Sequence, residues 1–313
     1  MNEFHILRAL DIADAAGLAD FHVVAAAARA FDGYAPFNEQ ALLDLQSGSR
    51  TAYLVQATTE GEGAVSATEV PSGANTVVVG AALGGRGEVD LVISPTQRRR
   101  GYGRAAAHEL IKSEPESLTA WAHGDHPGAR ALASELRFVA ARTLLEMRKP
   151  LEGEAADTSA SAASALAPGE SISAFRVGID NAEWVQLNAL VFAAHPEQGA
   201  ITEADLSARA AESWFDKDAF LILRDGSGAM IGYNWLKIDG AIGEIYVIGV
   251  HADAAGRGLG RALMQAGIAH LIGAGCTTAA LYVEADSLGP VHLYRSLGFV
   301  DHTVDVQYQR LTN

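Results

Sequence analysis

Apolar positions follow two rhythms along this chain, and the rhythms come in the same order in its two halves. In the second half "AFLIL", "MIGYNWLKI" and "GEIYVIGV" are short runs separated by turn signals such as "RDGSG" and "DG". Runs of this composition and length predict strands. The period then changes. Leu259, Ala262, Leu263, Ala266 and Ala269 fall at helical spacing and give one apolar face. "TAALYVEA" predicts a further strand, "GPVHLYRSL" a short helix and "VDHTVDVQYQ" a closing strand. The first half offers "TAYLVQA", "TVVVGAAL", "EVDLVIS", a helix, "LTAWAHG", "ARALASEL" and "ARTLLEMRK" in the same order.

Several strands followed by helix, strand, helix and strand make a mixed α/β layer, and here it occurs twice. Gly101 and Gly258, like Gly103 and Gly260, stand 157 residues apart (258 − 101 and 260 − 103). Two copies are too few for a solenoid, so a tandem duplication is the reading. Between the copies, Pro150 to Ser171 is dominated by Ala, Ser, Gly, Glu and Pro without apolar periodicity. That composition predicts a flexible linker over 150–171, with domains at 1–149 and 172–313. A second polar stretch, Thr58 to Asn75, predicts a long surface loop.

Composition narrows the function classes. Of the 313 residues 49% are hydrophobic and 19% charged, which is globular rather than disordered. No apolar run approaches the roughly 18 residues of a membrane span. The first residues lack the basic start and apolar core of a secretory signal. The single cysteine, Cys276, excludes an internal disulfide and reads as a small buried hydrophobe. A cytoplasmic chain without a membrane partner is expected, and a monomer. The net charge of −15 argues against a nucleic-acid partner, although a local nest of N–H groups can still take a small anion.

Both helices at the change of rhythm start from a glycine-rich kink, "RRRGYGRA" and "AGRGLGRA". Glycine lets backbone approach a ligand closely, and a helix starting there turns unpaired N–H groups and its positive end outward. This suits a phosphate. A Walker loop would need glycine-lysine-serine or threonine, and a dinucleotide fingerprint would need G-x-G-x-x-G; neither spacing is present. The spacing that fits is arginine or glutamine, two residues, glycine, one residue, then glycine or alanine. Arg98, Gly101 and Gly103 satisfy it, whereas the second copy has Ala255 with Gly258 and Gly260. With "LYRSLGF" (Leu293 to Phe299), these loops resemble the GNAT acetyltransferase superfamily. The resemblance implies two tandem GNAT domains, each a mixed, mostly antiparallel sheet flanked by helices, with acetyl-coenzyme A as co-substrate.

"FAAHPEQG" (Phe192 to Gly199), "ESWFD" (Glu212 to Asp216), "GEIYVIGV", "LYVEAD" and "SLGF" together resemble the mycothiol synthase family. "WAHG" (Trp121 to Gly124) and the pair Glu39 and Gln40 extend the resemblance into the first half. That family acetylates the cysteinyl amine of a cysteine–glucosamine–inositol conjugate, the last step of mycothiol assembly. The acceptor amine must lose a proton, the developing oxyanion needs an N–H donor, and the departing thiolate needs a proton. By resemblance Glu244 is the base or amine anchor and Tyr294 the general acid. Glu39, Glu197, Lys237, Glu244 and Tyr282 match positions that contact the acceptor. Ile248, Gly249 and Val250 would meet the thioester and pantetheine arm. Ala255, Gly256, Arg257, Gly258, Leu259, Gly260 and Arg261 would meet the pyrophosphate. Leu91, Val92 and Ile93, with Arg99, Arg100, Gly101, Tyr102, Gly103 and Arg104, are their counterparts in the first copy. The start of the last helix, Ser287, Leu288, Gly289, Pro290, Val291 and His292, would add coenzyme contacts. Ser287 replaces the family's usual asparagine and cannot reproduce both amide hydrogen bonds.

The duplication provides an internal control. Matching Phe138 to Phe299 puts Ala133 opposite Tyr294 and Arg137 opposite Gly298. The loop offset puts Gly87 opposite Glu244, with Glu88 displaced by one, which in a regular strand turns it to the other face. The second copy is therefore expected to be catalytic and the first to bind coenzyme A structurally or only to pack. Two other readings stay open: an acetyltransferase for another small amine or a protein N-terminus, and a non-catalytic acyl-CoA sensor. His123 and His126 lack further ligands at metal-binding spacing, so no metal is expected.

Overall fold

The computed structural model describes residues 5–59, 75–113, 117–153, 166–195 and 198–310. It divides into two compact units, Met1–Leu144 with Thr303–Asn313, and Leu145–His302. The first contains β1 (His5–Ala9), α1 (Ala15–Asp32), α2 (Glu39–Gln46), β2 (Thr51–Thr59), β3 (Asn75–Gly85), β4 (Glu88–Ile93), α3 (Tyr102–Ser113), β5 (Leu118–Ala122), α4 (Pro127–Glu135) and the start of β6 (Val139–Pro150). The second continues β6 and adds β7 (Ser171–Ala174), α5 (Asn181–Val191), α6 (Glu203–Ala210), β8 (Phe220–Arg224), β9 (Met230–Asp239), β10 (Ile242–Val250), α7 (Leu259–Gly273), β11 (Thr278–Glu284), α8 (Leu288–Ser296) and the start of β12 (Val300–Arg310). Most of the Thr58–Asn75 loop and of the 150–171 linker lies outside the described residues.

In the first unit the strand order is β1-β2-β3-β4-β5-β12, and in the second β6-β11-β10-β9-β8-β7. The meanders β1 to β4 and β7 to β10 are antiparallel. The β4–β5 and β10–β11 pairs are parallel. The closing strand of the chain completes the first unit, with Val306 opposite Ala122 and Arg310 opposite Leu118. The later part of β6 belongs to the second unit, where the Leu151 N–H donates to the Thr277 carbonyl at 2.9 Å. Each unit thus takes a strand from the other half of the sequence, an arrangement that contiguous boundaries do not describe.

Two helices separate the first two strands of each unit, and the strand-and-kink pattern has no place for them. In α1 the buried residues Gly17, Phe21, Val24 and Ala28 follow helical spacing, and the Asp14 carboxylate caps the start by accepting the Gly17 N–H at 2.9 Å. The alanines around them blur the contrast between faces. In the second unit the core centres on Trp235, stacked on Phe220 at 4.5 Å between ring centroids, with Trp184 edge-on to both. Apolar burial of this kind dominates the stability of such a layer. Cys276 is free and packs among Leu271, Ala279 and Phe299, as a small hydrophobe would.

The first unit has a charged cluster in its core. The Arg50 guanidinium donates to Glu88 at 3.0 Å and to Asp90 at 2.8 Å, and also to the Leu83 and Glu88 carbonyls. Arg50 and Asp90 side chains are 2% and 1% exposed. In the second unit the position of Asp90 is taken by Val247, a core residue.

Candidate active site

Parallel pairing between β10 and β11 runs from Ile242–Thr278 to Ile245–Leu281 and stops, although β10 continues to Val250 and β11 to Glu284. Beyond Ile245 the two strands part. On its other edge β10 stays paired with β9, as in Ile248–Asn234 and Val250–Gly232. The edge of β10 around Ile248, Gly249 and Val250 that faced β11 is therefore left with main-chain groups for a ligand. β4 and β5 part in the same way after Glu88–Thr119.

At the end of the split strand, His251 leads through one 3-10 turn (Ala252–Ala254) to the glycine kink. Gly256 has φ +76° and Gly258 φ +80°, and at neither would a Cβ meet any atom. The glycines serve backbone shape rather than space. Gly258 caps α7 without any side-chain hydrogen bond, so the first N–H groups of α7 have no side-chain partner there. An uncapped helix start beside an unpaired strand edge fits a carrier with a pyrophosphate at one end and an amide-rich arm behind it. Two loop side chains are engaged elsewhere: Arg257 donates to Glu170 and Arg261 to the Ser296 hydroxyl, each at 2.6 Å.

The Ala255 departure has a structural explanation. Ala255 has φ −65° and ψ 159°, and Arg98 in the first unit has −67° and 161°. The loop backbone is the same with or without the long side chain. Arg98 itself is spent on packing: it holds Asp32 with two hydrogen bonds of 2.7 and 2.6 Å and the Ile93 carbonyl at 3.0 Å. Where the second copy has Gly256, the first places Arg99 at φ +65°.

Tyr294 lies on α8, buried against Phe299 with ring centroids 6.2 Å apart, and burial pushes its phenol up to about 12. Val291 shares this core, whereas Leu288 at the start of the helix is 77% exposed. Ser287 caps α8 without a side-chain bond. Glu244 stands opposite Lys237 on β9 and Ala280 on β11. The Lys237 ammonium sits over the Trp214 ring at 4.6 Å and the Tyr246 ring at 5.6 Å. Tyr246 accepts a 3.1 Å hydrogen bond from Arg209. Tyr282 on β11 is exposed, and Glu39 opens α2 in the first unit. Glu197 lies outside the described residues; its neighbour His195 approaches Glu284 at 3.8 Å. Lys237, Glu244 and Tyr246 thus share adjoining positions on β9 and β10; Trp214, from the "ESWFD" stretch, and Arg209, which no sequence pattern marks, join them.

The displacement expected between Glu88 and Glu244 is overturned. The register of β10 shifts between Ile245 and Val247, so β10 holds one extra residue at Tyr246 that β4 lacks. With that bulge removed, Glu88, not Gly87, is the counterpart of Glu244. The parallel partners agree, since Glu88 pairs with Thr119 and Glu244 with Ala280. Glu88 in the first copy is held by the Arg50 guanidinium. The other contrast stands: Ala133 packs in the Phe138 cluster as Tyr294 packs with Phe299. Arg137 and Gly298, at φ +61° and +90°, also correspond.

Residues 184–299 match the model of the acetyltransferase (GNAT) family. The chain is 42% identical over 288 residues to the mycothiol acetyltransferase of Clavibacter michiganensis subsp. michiganensis, covering 90% of this chain and 88% of that one. It is 39% identical over 335 residues to that of Parafrankia sp., covering 99% of each. The chain belongs to the mycothiol acetyltransferase family. It is an acetyl-transferring enzyme on a tandem GNAT fold. Among solved structures, the tandem GNAT protein from the clavulanic acid biosynthesis pathway superposes with a TM-score of 0.67 at 18% identity, over 98% of both chains. A GCN5-related N-acetyltransferase from Sphaerobacter thermophilus gives 0.63 at 20%, over 97% and 95%. These two share the fold. GNAT enzymes use acetyl-CoA, and among the described residues no group of three metal-ligating side chains comes together and no helix is long and apolar enough to cross a membrane.

An alanine at Gly258 would have to hold a left-handed conformation, at a cost of about 1–2 kcal/mol, while its Cβ meets no atom. The expected result is an acetyl-CoA KM raised roughly 5- to 30-fold, with a smaller rise for Gly260→Ala, whose added Cβ meets only Leu293 at an ordinary 3.6 Å. Steady-state kinetics with acetyl-CoA as the varied substrate read this out. Equal effects at both positions would mean that the turn's shape is not what holds the pyrophosphate.

Proposed function

We propose that this enzyme transfers acetyl from acetyl-CoA to the cysteinyl amine of a cysteine–glucosamine–inositol conjugate, and that the second unit alone performs the transfer. One observation carries the reading. The parting of β10 from β11, the uncapped start of α7 and the buried Tyr294 occur in one unit, whereas the first unit keeps the loop and has Ala133 in place of the phenol.

The carrier's pyrophosphate rests on the amides of Gly256 to Arg261 and its arm follows the open edge of β10. The N–H groups around Ile248 to Val250 supply a donor to the oxyanion. The amine arrives largely protonated at neutral pH, since such groups titrate at roughly 7.7–8.0. Glu244 anchors that ammonium and accepts its proton, directly or through water. Lys237, held by Trp214 and Tyr246, presents its charge to hydroxyl oxygens of the sugar, with Glu39, Glu197 and Tyr282 as further acceptor contacts. Ser287 to His292 meet the carrier from the start of α8. Tyr294 donates toward the departing sulfur. A phenol near 12 is a weaker acid than an ordinary thiol at roughly 8.5, so full proton transfer to the departing thiolate is uphill, and the released thiolate takes its proton from solvent. Tyr294 therefore acts by hydrogen-bonding charge as it develops on sulfur.

The first unit holds the carrier without transfer. A cleft of about 870 Å³ opens there, lined by Leu91, Val92 and Ile93, by Arg99, Gly101, Tyr102, Gly103 and Arg104, and by the inner faces of α3 and α4. Arg100, between these residues, is exposed on the same turn. The enzyme is read as a cytoplasmic monomer, with 150–171 linking the halves.

The test is acetyl transfer to the conjugate beside a panel of other small amines and a peptide N-terminus, followed by release of free coenzyme A thiol. The conjugate is expected to exceed the others by at least roughly 100-fold in kcat/KM, as a polar acceptor pocket permits. Parity with arbitrary amines would remove the acceptor assignment and leave the acetyltransferase.

A further inference from the structure

The first unit has a second set of polar groups that the transfer reaction does not use. His123 follows directly after β5 and borders the 870 Å³ cleft. Its Nδ1 lies 2.8 Å from Asp305 Oδ2, and Asp305 Oδ1 accepts the Gly124 N–H at 2.8 Å. Asp305 comes from β12, within the same unit. The Trp121 ring lies nearly parallel to the imidazole, 6.1 Å away at 10°. The ring is thereby fixed in plane, and its side chain is 11% exposed. The other nitrogen, Nε2, is buried and has no hydrogen-bond partner among the described residues. A buried polar atom without a partner is costly, so a group held in this way on a cleft wall calls for a ligand atom.

We propose that His123 is an acyl-recognising residue: its Nε2 hydrogen-bonds the thioester carbonyl of an acyl-CoA held in the first unit, so that this cleft distinguishes acyl-CoA from free coenzyme A. This rests on the reading that the first unit holds the carrier. Place and charge both support it. β4 and β5 part after Glu88–Thr119, and His123 stands at the far end of β5, beside the gap into which an arm can pass. Asp305, Asp90 and Glu88 all favour the charged imidazolium, and together they outweigh the desolvation that opposes it. A donor is thus available at Nε2. The second unit has Glu284 at the corresponding strand end and Val247 in place of Asp90, so it lacks this device.

The experiment uses the full chain, titrated calorimetrically with acetyl-CoA and coenzyme A, and acetyl-CoA labelled with ¹³C at the carbonyl. Two sites are expected for acetyl-CoA, and at one of them the carbonyl resonance should lie downfield of the free ligand. His123→Ala should weaken acetyl-CoA at that site roughly 10- to 100-fold, the range of a charge-assisted hydrogen bond, and leave coenzyme A binding there unchanged. His123→Gln, which keeps a donor near Nε2 and most of the volume, should recover part of the loss and move only that resonance. It carries the test if the alanine variant does not fold. Equal weakening of acetyl-CoA and coenzyme A, or a resonance that His123→Gln does not move, overturns the role of His123 and leaves a carrier site without it. A single site in the unsubstituted chain overturns this inference together with carrier binding in the first unit.

Discussion

Tyr294→Phe is expected to lower kcat by roughly 10²- to 10⁴-fold, the range of general-acid contributions, while changing the acetyl-CoA KM only a few-fold. The substitution removes one oxygen and keeps the ring that packs on Phe299, so the core of the second unit loses no apolar contact. Because burial holds the phenol near 12, it stays protonated through the working range. The alkaline limb of the native pH–rate profile should therefore not report Tyr294 below about 11. Single-turnover transfer at saturating acetyl-CoA, followed from pH 6 to 10, measures both effects. A phenylalanine variant within about three-fold of the native rate would mean that Tyr294 does not stabilise the charge on the leaving sulfur. A variant with raised acetyl-CoA KM and unchanged kcat would make Tyr294 a binding residue instead.

The second large effect concerns stability. Arg50→Met should cost about 3–5 kcal/mol, because it leaves the buried Asp90 carboxylate, and in part Glu88, without the guanidinium that pairs with them. The loss should depend on pH with a definite sign. Burial already raises the Asp90 carboxyl above its ordinary value against the pull of Arg50. Without the guanidinium it rises further, so the folded variant binds a proton that the unfolded chain does not. Stability of the variant then falls as pH rises from about 4 through the folded value, and the destabilisation is smaller at pH 5 than at pH 8. Urea unfolding at the two pH values measures this, and adding Asp90→Asn to Arg50→Met should recover part of the loss. A loss under about 1 kcal/mol, or one that does not vary with pH, would mean that water reaches the pair and screens it.

Much of the architecture was legible because it was written twice. The "EVDLVIS" and "GEIYVIGV" strands, the helices after both kinks and the closing strands fall where period and composition place them. The loop equivalence extends to backbone angles, since Arg98 and Ala255 coincide within a few degrees. The helices α1, α2, α5 and α6 were not visible in that pattern. In α1 alanines on both faces weaken the contrast that marks an amphipathic helix. The comparison of Glu88 with Glu244 failed for a different reason. A β-bulge adds a residue to one strand without changing its hydrophobic rhythm, and only the register with β9 reveals it at Tyr246. At the candidate site, Glu244, Lys237 and Tyr294 could be named from the residues and the family resemblance. Arg209 could not, and the "ESWFD" stretch gave Trp214 no role, because their place beside Lys237 and Tyr246 comes from packing across the unit.

By itself the sequence determined that two α/β copies exist, where each glycine-rich turn starts, and that only the later copy has a tyrosine on its last helix. These follow from local chemistry: the spacing of apolar residues, the freedom of glycine, and side-chain identity at matched positions. Tertiary structure alone decided which strand closes each sheet, that Arg98 is held by Asp32 rather than offered to a ligand, and that Asp305 reaches back across 182 residues to hold His123. Long-range pairing leaves no periodic trace along a chain. It is set by which buried charges and strand edges must find partners once the layers have formed.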